Sequence, residues 1–234
     1  MNAFALDTSI SRITVVAKKD ANLVSLTLDI GMRQSEKLLP AIDYVLAQTE
    51  IAPSELDYTA LCSGPGSFTG LRLGFAALKA IEAAHEIPIY AVNSLDSYAA
   101  PFKDFSGMVL SVIDARKDKF FAKAFFGGKE AISCDDFELE DLARRLEEIF
   151  ENKSDENLRE EIFVAGEAEA FLAACARRNF LQGKKLICAK GGVANLKSVF
   201  DLAEEKIAHG EPPIAEYEGP QYFRASEAER TIKS

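Results

Sequence analysis

Tryptophan is absent from this 234-residue chain, and His85 and His209 are its only histidines. Two distant histidines supply no HxxxH, HExxH or His-rich set, which excludes a zinc or iron centre of the usual type. Cysteine is scarce as well: Cys62, Cys134, Cys175 and Cys188 form no CxxC and no pairing pattern. Cys62 and Cys188 sit in short apolar runs, where a thiol behaves as a small hydrophobe, so a reduced, cytosolic (cytoplasmic) chain is expected. No stretch approaches the roughly 18 apolar residues of a membrane span. The N-terminus lacks a basic region and its apolar run breaks at Asp7, so no signal peptide is expected. Positive charge is in deficit, with 27 Lys and Arg against 37 Asp and Glu and a net charge of −10. Such a surface repels phosphate backbones, so direct nucleic-acid binding by this chain alone is not expected.

What remains is the profile of a folded globular protein: 48% apolar residues, 27% charged, and 16 Phe in place of the missing Trp. The length suits one large domain or two lobes of about 100 to 120 residues, with a core that needs no disulfide. Ala3 to Leu6, Arg12 to Ala17 and Leu23 to Leu28 read as strands joined by short polar turns, an antiparallel meander. Ser35 can cap a helix to about Gln48, with Pro40 tolerated in its first turns. Tyr58 to Ser63 is a strand, followed by a glycine-rich loop, a helix to about Ala84 and a strand from Ile87 to Val92. The order then starts again. Strands are expected over Met108 to Ile113, Lys119 to Phe126 and Ala131 to Cys134, with a Gly127-Gly128 turn between the last two. A helix over Glu138 to Phe150, a charged loop over Glu151 to Glu161, and a strand over Ile162 to Ala165 come next. A helix over Glu167 to Asn179, a strand over Leu186 to Ala189, and a final helix over Ala194 to His209 complete the half. Both halves run βββ-α-β-α-β, and each first strand ends in an aspartate, Asp7 and Asp114. The repeat suggests a duplication, although α/β chains alternate such elements in any case. By analogy of element order, the fold class is α/β, a two-lobed actin-like (ASKHA, ribonuclease-H-like) arrangement of mixed sheets flanked by helices. The lobes are placed at 1–105 and 106–234, the second including the tail.

Gly64-Pro65-Gly66-Ser67-Phe68-Thr69-Gly70-Leu71-Arg72 lies between a strand and a helix. Its glycines permit positive φ and close approach, and Ser67 or Thr69 can cap the helix, whose N-terminus favours an anion. Against a phosphate loop, GxGxxxG misses the dinucleotide spacing by one residue and no GK[ST] follows. The residues alone leave an anion-binding turn and a structural corner equally open. The helix from Leu71 to Ala84 is apolar around most of its circumference: Leu71, Leu73, Phe75, Leu78 and Ile81 alternate with Gly74, Ala76, Ala77 and Ala80. Its charges, Arg72, Lys79 and Glu82, fall on one narrow stripe. Such a helix needs burial on more than one side, inside its own fold or against another protein. The second is favoured here, shared with the helix carrying Ser35, Leu38, Leu39 and Ile42. Asp7 and Asp114 either cap turns or, as strand-end acids of an actin-like fold, hold Mg-nucleotide through water. Asp7, Thr8, Gly64, Gly66, Ser67, Thr69 and Asp114 are therefore the candidate nucleotide or anion contacts. The Glu138 to Glu148 charges read as a solvated helix face. Gly191-Gly192 in Lys190 to Asn195 is a second glycine turn, where an adenine-contacting loop could lie.

Leu6-Asp7-Thr8-Ser9, Gln34-Ser35-Glu36-Lys37-Leu38-Leu39-Pro40-Ala41-Ile42-Asp43 and Gly64 to Gly74 closely resemble the bacterial TsaB (YeaZ) family. Val92-Asn93-Ser94-Leu95, Ile113-Asp114-Ala115-Arg116 and the tail from Pro220 to Glu229 fit as well. The likeness is dense over the first 116 residues and returns at the C-terminus. It implies a non-catalytic member of the actin-like superfamily, working in synthesis of N6-threonylcarbamoyladenosine at position 37 of tRNAs that read ANN codons. It further implies pairing with the metal-bearing catalytic paralogue TsaD, joined by the P-loop ATPase TsaE, and a homodimer when the paralogue is absent. The implied partner face consists of Ser35, Leu38, Leu39, Ile42, Leu71, Arg72, Gly74, Phe75, Ala77, Leu78, Ala80 and Ile81. No catalytic residue, metal or tightly bound cofactor is expected, with ATP or ADP at most at the complex interface. Gln34 stands where family members often carry His, so no ligand role transfers. The 191–195 run is closer to a motif of the catalytic paralogue and keeps nucleotide contact open. The alternative reading is a stand-alone ATP-dependent transferase or kinase; the superfamily's older glycoprotease (peptidase M22) label fails for want of metal ligands.

Overall fold

A computed structural model describes residues 1–151, 160–189 and 196–223. The chain forms two compact units, Met1–Ser97 with the described part of 195–234, and a second that begins at Tyr98. The first unit opens with the expected meander, β1 (Asn2–Asp7), β2 (Arg12–Lys19) and β3 (Asn22–Asp29). Helix α1 (Gln34–Thr49), β4 (Tyr58–Gly64), α2 (Phe68–His85) and β5 (Ile89–Asn93) follow. The strand order is β3-β2-β1-β4-β5. β1 and β2 pair antiparallel, as do β2 and β3, while β4 and β5 join in parallel through helical crossovers.

After the short α3 (Ser94–Ala99), the second unit repeats this plan with β6 (Met108–Asp114), β7 (Lys119–Phe126) and β8 (Lys129–Glu138). Helix α4 (Leu139–Glu151), β9 (Glu161–Gly166), α5 (Ala168–Arg178) and β10 (Lys185–Cys188) complete it. The order β10-β9-β6-β7-β8 again puts the first strand in the centre, with its two antiparallel successors on one side. Two copies of this ribonuclease-H-like sheet are the construction of the actin-like ATPase fold. Strand β8 has ten residues where Ala131 to Cys134 were expected, and α3 was not visible as a helix in the sequence. The Lys190 to Asn195 turn and most of the charged loop (152–159) lie outside the described residues. Among the described residues no helix is long and apolar enough to cross a membrane.

Strand periodicity divides the first sheet cleanly between two cores. Phe4, Leu6, Ile13, Val15, Leu61 and Ile89 face α1 and α2, meeting Leu38, Ile42, Val45, Phe75 and Leu78. Ala3, Ala5, Val16, Ala60 and Cys62 face the other way, against Val199, Phe200 and Ala203 of α6 (Lys197–Ala208). This corrects the expected lobe boundary. The last helix, assigned to the second lobe with 106–234, belongs to the first unit, and the second starts at Tyr98 instead of 106. The alanine-rich face of β1 and β4 is too shallow to close its own core, and α6 supplies the missing bulk. A second correction concerns α1. Ser35 is exposed and does not cap the helix, whose N-cap position is Arg33. The buried Gln34 amide instead donates to the carbonyl of Ile10 at 2.5 Å, tying the helix start to the β1–β2 turn.

A polar clamp seats α6. Glu204 accepts from Lys18 Nζ at 2.5 Å and from the Tyr58 hydroxyl at 2.7 Å, and Tyr58 meets Phe200 edge-on. Burial, then the bond to Glu204, push the Tyr58 phenol far up, so it stays a donor throughout the accessible pH range. Burial alone would raise the Glu204 carboxyl, but the Lys18 and Tyr58 bonds outweigh it and hold the group below its ordinary value. A carboxyl depressed on folding adds stability above its unfolded pKa and loses it as pH falls through the folded value. Glu204→Gln is therefore expected to cost about 1–2 kcal/mol at neutral pH. It should also flatten the acid limb of a melting-temperature profile, read by calorimetry from neutral pH downward.

Candidate functional site

The glycine-rich corner is built by close backbone approach. Cβ atoms at Gly66 and Gly70 would collide with the carbonyl oxygens of Ser9 and Thr8, and one at Gly74 would lie 2.6 Å from Thr8 Oγ1. Gly64 holds φ +126°, and a Cβ there would be 2.5 Å from the carbonyl oxygen of Gln221. The glycines thus let the start of α2 press onto the β1–β2 turn from one side while the C-terminal segment presses from another. Ser67 caps α2 by accepting from the Gly70 N–H at 3.3 Å, and its own N–H donates to Ser9 O at 2.6 Å. Thr69 sits exposed in the first turn.

Asp7 is 1% exposed and Thr8 equally buried. The Asp7 carboxylate accepts from the Ser9 N–H at 2.8 Å, an Asx turn that closes the strand end. Beneath it lies Cys62, whose sulfur is 3.4 Å from Ser97 Oγ. Burial first, and the Asp7 charge second, push the Cys62 thiol well up. The corner is thus packed closely, with Gly66 against Ser9 and Gly64 against the carbonyl of Gln221.

Asp114 belongs to the second unit. It accepts from the Arg116 N–H at 2.8 Å, its own N–H donates to Glu167 at 2.9 Å, and it opens a turn of three left-handed residues, Arg116, Lys117 and Asp118. No glycine or asparagine marks that turn in the sequence. With Arg177 these residues line a cavity of about 510 Å³. Among the described residues no group of three or more His, Cys, Asp or Glu could hold a metal ion.

The helical face divides more sharply than the periodicity of α2 suggested. Leu38, Ile42, Leu71, Gly74, Phe75 and Leu78, expected at a partner face, are buried within the first unit. The exposed residues include Ser35, Leu39 and Tyr44 on α1, with Glu36, Lys37 and Asp43 near them in sequence, and Phe68, Arg72, Ala76 and Ala80 on α2, where Ala77 and Ile81 are half-buried. Leu39 is 62% exposed and Tyr44 52%, large values for apolar and aromatic side chains. Tyr44 escaped notice in the sequence because it falls outside the apolar stripe of α1. A strap formed by the chain after α6 runs beside the charged stripe of α2, leaving Arg72 exposed. There Ile214 N–H donates to Ile89 O at the edge of β5, Lys79 donates to Ala215 O at 3.0 Å, and Gln221 N–H donates to Ser63 O.

Comparison with known proteins finds relatives for this arrangement. Residues 31–136 match the family model described as TsaD, tRNA N6-adenosine threonylcarbamoyltransferase. The tRNA threonylcarbamoyladenosine biosynthesis protein TsaB of Bacillus subtilis is 30% identical over 122 residues, 52% of this chain and 53% of that protein. Its namesake from Buchnera aphidicola subsp. Schizaphis graminum is 33% identical over 95 residues, 41% and 45% of the two chains. The chain spans about half the length of the curated relatives it matches. The structure of YeaZ from Pseudomonas aeruginosa superimposes with a TM-score of 0.72 at 22% identity, covering 94% of this chain and 99% of that one.

Two outcomes follow from the corner. Gly70→Ala should lower stability by more than about 2 kcal/mol through overpacking, whereas Gly219→Ala, with open space around it, should stay within about 0.5 kcal/mol in denaturant titration. In the native protein a thiol reagent at neutral pH should modify the half-buried Cys134 and Cys188. Cys62, and Cys175 with its thiol pushed by burial up to about 12, should react only after unfolding, as peptide mapping would read.

Proposed function

Since the chain belongs to the TsaB (YeaZ) family, we propose that it is the non-catalytic scaffold and activator subunit of the complex that installs the threonylcarbamoyl group on N6 of adenosine 37 in tRNAs reading ANN codons. It acts by pairing with the catalytic paralogue TsaD through α1 and α2. The observation that carries this reading is the outward surface of those helices. Leu39, Tyr44 and Phe68 stand exposed beside Ala76 and Ala80, while the opposite sides of both helices fill the core. Small residues along α2 let a facing helix approach closely, and exposed aromatic and leucine side chains supply the apolar area a stable interface needs. In the absence of the paralogue, a second copy of the chain covers the same face.

The chemistry in this reading belongs to the partners. The strand-end acids each close a turn, Asp7 with Ser9 and Asp114 with Arg116. A surface with a net charge of −10 leaves most of the tRNA contact to TsaD and to TsaE. ATP or ADP, in the same reading, is held where subunits meet and not by the corner of this chain.

Ala80→Glu places a charge in the middle of the outward face at an exposed position, where the fold has room for it. It should abolish co-purification with TsaD, a loss of at least about 100-fold in affinity, with an unchanged melting temperature. Reconstituted modification of tRNA by TsaD and TsaE should require the wild-type chain and fail with Ala80→Glu. Full modification without the chain, or undiminished pairing by the variant, would refute this assignment. ATP turnover by the isolated chain that disappears in Asp7→Ala would point instead to a stand-alone transferase or kinase.

A further inference from the structure

Arg72 has an unusual setting for a cation on so acidic a chain. Its guanidinium lies 3.8 Å from the centre of the Phe68 ring, and its Nε donates to the Tyr222 hydroxyl at 3.0 Å. The Phe68 and Tyr222 rings are themselves 5.1 Å apart. Among the described residues Arg72 forms no ion pair, although Lys79, two turns further along α2, pairs with Glu82 at 2.8 Å. Phe68 is 39% exposed and Tyr222 45%, so the cluster stands at the surface. The strap brings Tyr222 there, fixed by the Gln221 N–H bond to Ser63 and by the close passage of the Gln221 carbonyl over Gly64.

This arrangement restrains a long, flexible side chain before any partner arrives. Stacking engages the flat face of the guanidinium and Tyr222 engages Nε, while the terminal N–H donors retain the fork geometry that matches a carboxylate. Holding the group in place in advance lowers the entropy lost on binding. We propose that Arg72, held by Phe68 and by Tyr222 of the strap, is the ionic anchor of the docking face and takes a carboxylate of the protein that packs on α1 and α2. The proposal rests on the docking reading given above. Two features favour a protein carboxylate over an RNA phosphate. The chain carries a net charge of −10, which opposes a polyanion. Around Arg72 lie Phe68, Tyr222 and, one turn along, Ala76; an arginine among aromatic and small apolar residues is the composition of a protein interface centre.

Isothermal titration of the purified full-length chain with TsaD from the same organism, at low and high salt, tests the assignment. Arg72→Met should weaken binding about tenfold or more and make it less sensitive to salt. Arg72→Lys keeps the charge without the planar fork and should recover part of the loss. Tyr222→Phe keeps the ring but removes the acceptor that fixes Nε, and should weaken binding a few-fold. Melting temperatures of all three should match the wild type. Wild-type affinity and salt response in Arg72→Met overturn the proposal, as does a lysine variant no better than methionine. So does a loss of tRNA retention by Arg72→Met with TsaD binding unchanged, which would assign the cation to nucleic acid. Ala80→Glu separates the two levels. If it abolishes binding while Arg72→Met does not, only the role of Arg72 is wrong. If Ala80→Glu binds normally, the docking face itself is wrong and this proposal falls with it.

Discussion

The contact on which the rest of the first unit depends is the backbone approach between the start of α2 and the β1–β2 turn. Gly66, Gly70 and Gly74 stand where any side chain would strike Ser9 or Thr8, so the corner and the first turns of α2 are seated by close contact with the β1–β2 turn. That contact decides which side of α2 faces the sheet. Leu71, Phe75 and Leu78 then fill the core, and Ala76 and Ala80 are left outside. It also closes the strand end at Asp7, which is buried and accepts from the Ser9 N–H, with Cys62 beneath it. One geometrical constraint therefore both packs the corner and sets which side of α2 faces outward.

A division of labour follows from charge as much as from shape. In the docking reading, a chain with ten more acids than bases contributes apolar area and alignment, and the catalytic partner contributes the metal and most of the grip on tRNA. Arg72 is consistent with that division, because its environment is aromatic and its neighbours on the helix are small. The charged stripe of α2 would look like a solvated face on any helical wheel. In the folded unit Lys79 is tied to Ala215 and Arg72 to Tyr222, so the stripe serves the strap.

Local pattern carried much of this architecture. β7 runs from Lys119 to Phe126 as expected, and the repeated element order reappears as two sheets with the same strand arrangement. The cap at Ser67 follows from residue type and position. What stayed hidden depends on contacts distant in the chain. Nothing near Val199 or Phe200 says that they will pack on Ala3 and Ala5, since an amphipathic helix is satisfied by any apolar face. The outward side of α2 was only half legible for a related reason. A helix apolar on two sides does not declare which side its own sheet takes, and Leu71, Phe75 and Leu78 of α2, expected at the partner face, are buried in the unit. The clamp on Arg72 was illegible altogether, because its second ring arrives from a strap 150 residues later.

The return of α6 has a consequence for how the polypeptide comes into being. Topologically the second unit is an insertion within the first, entering after Ser97 and leaving before α6. Its strands and helices are all contiguous, so it has everything required to condense as soon as it is synthesised. The first unit begins earlier and finishes later. Until the ribosome has produced Val199, Phe200 and Ala203, the alanine-lined face of its sheet has no cover, and until Tyr222 emerges the start of α2 has no strap. Strands β1 to β3 are thus made well before the helix that covers one face of their sheet, and the start of α2 waits for a segment some 150 residues further along.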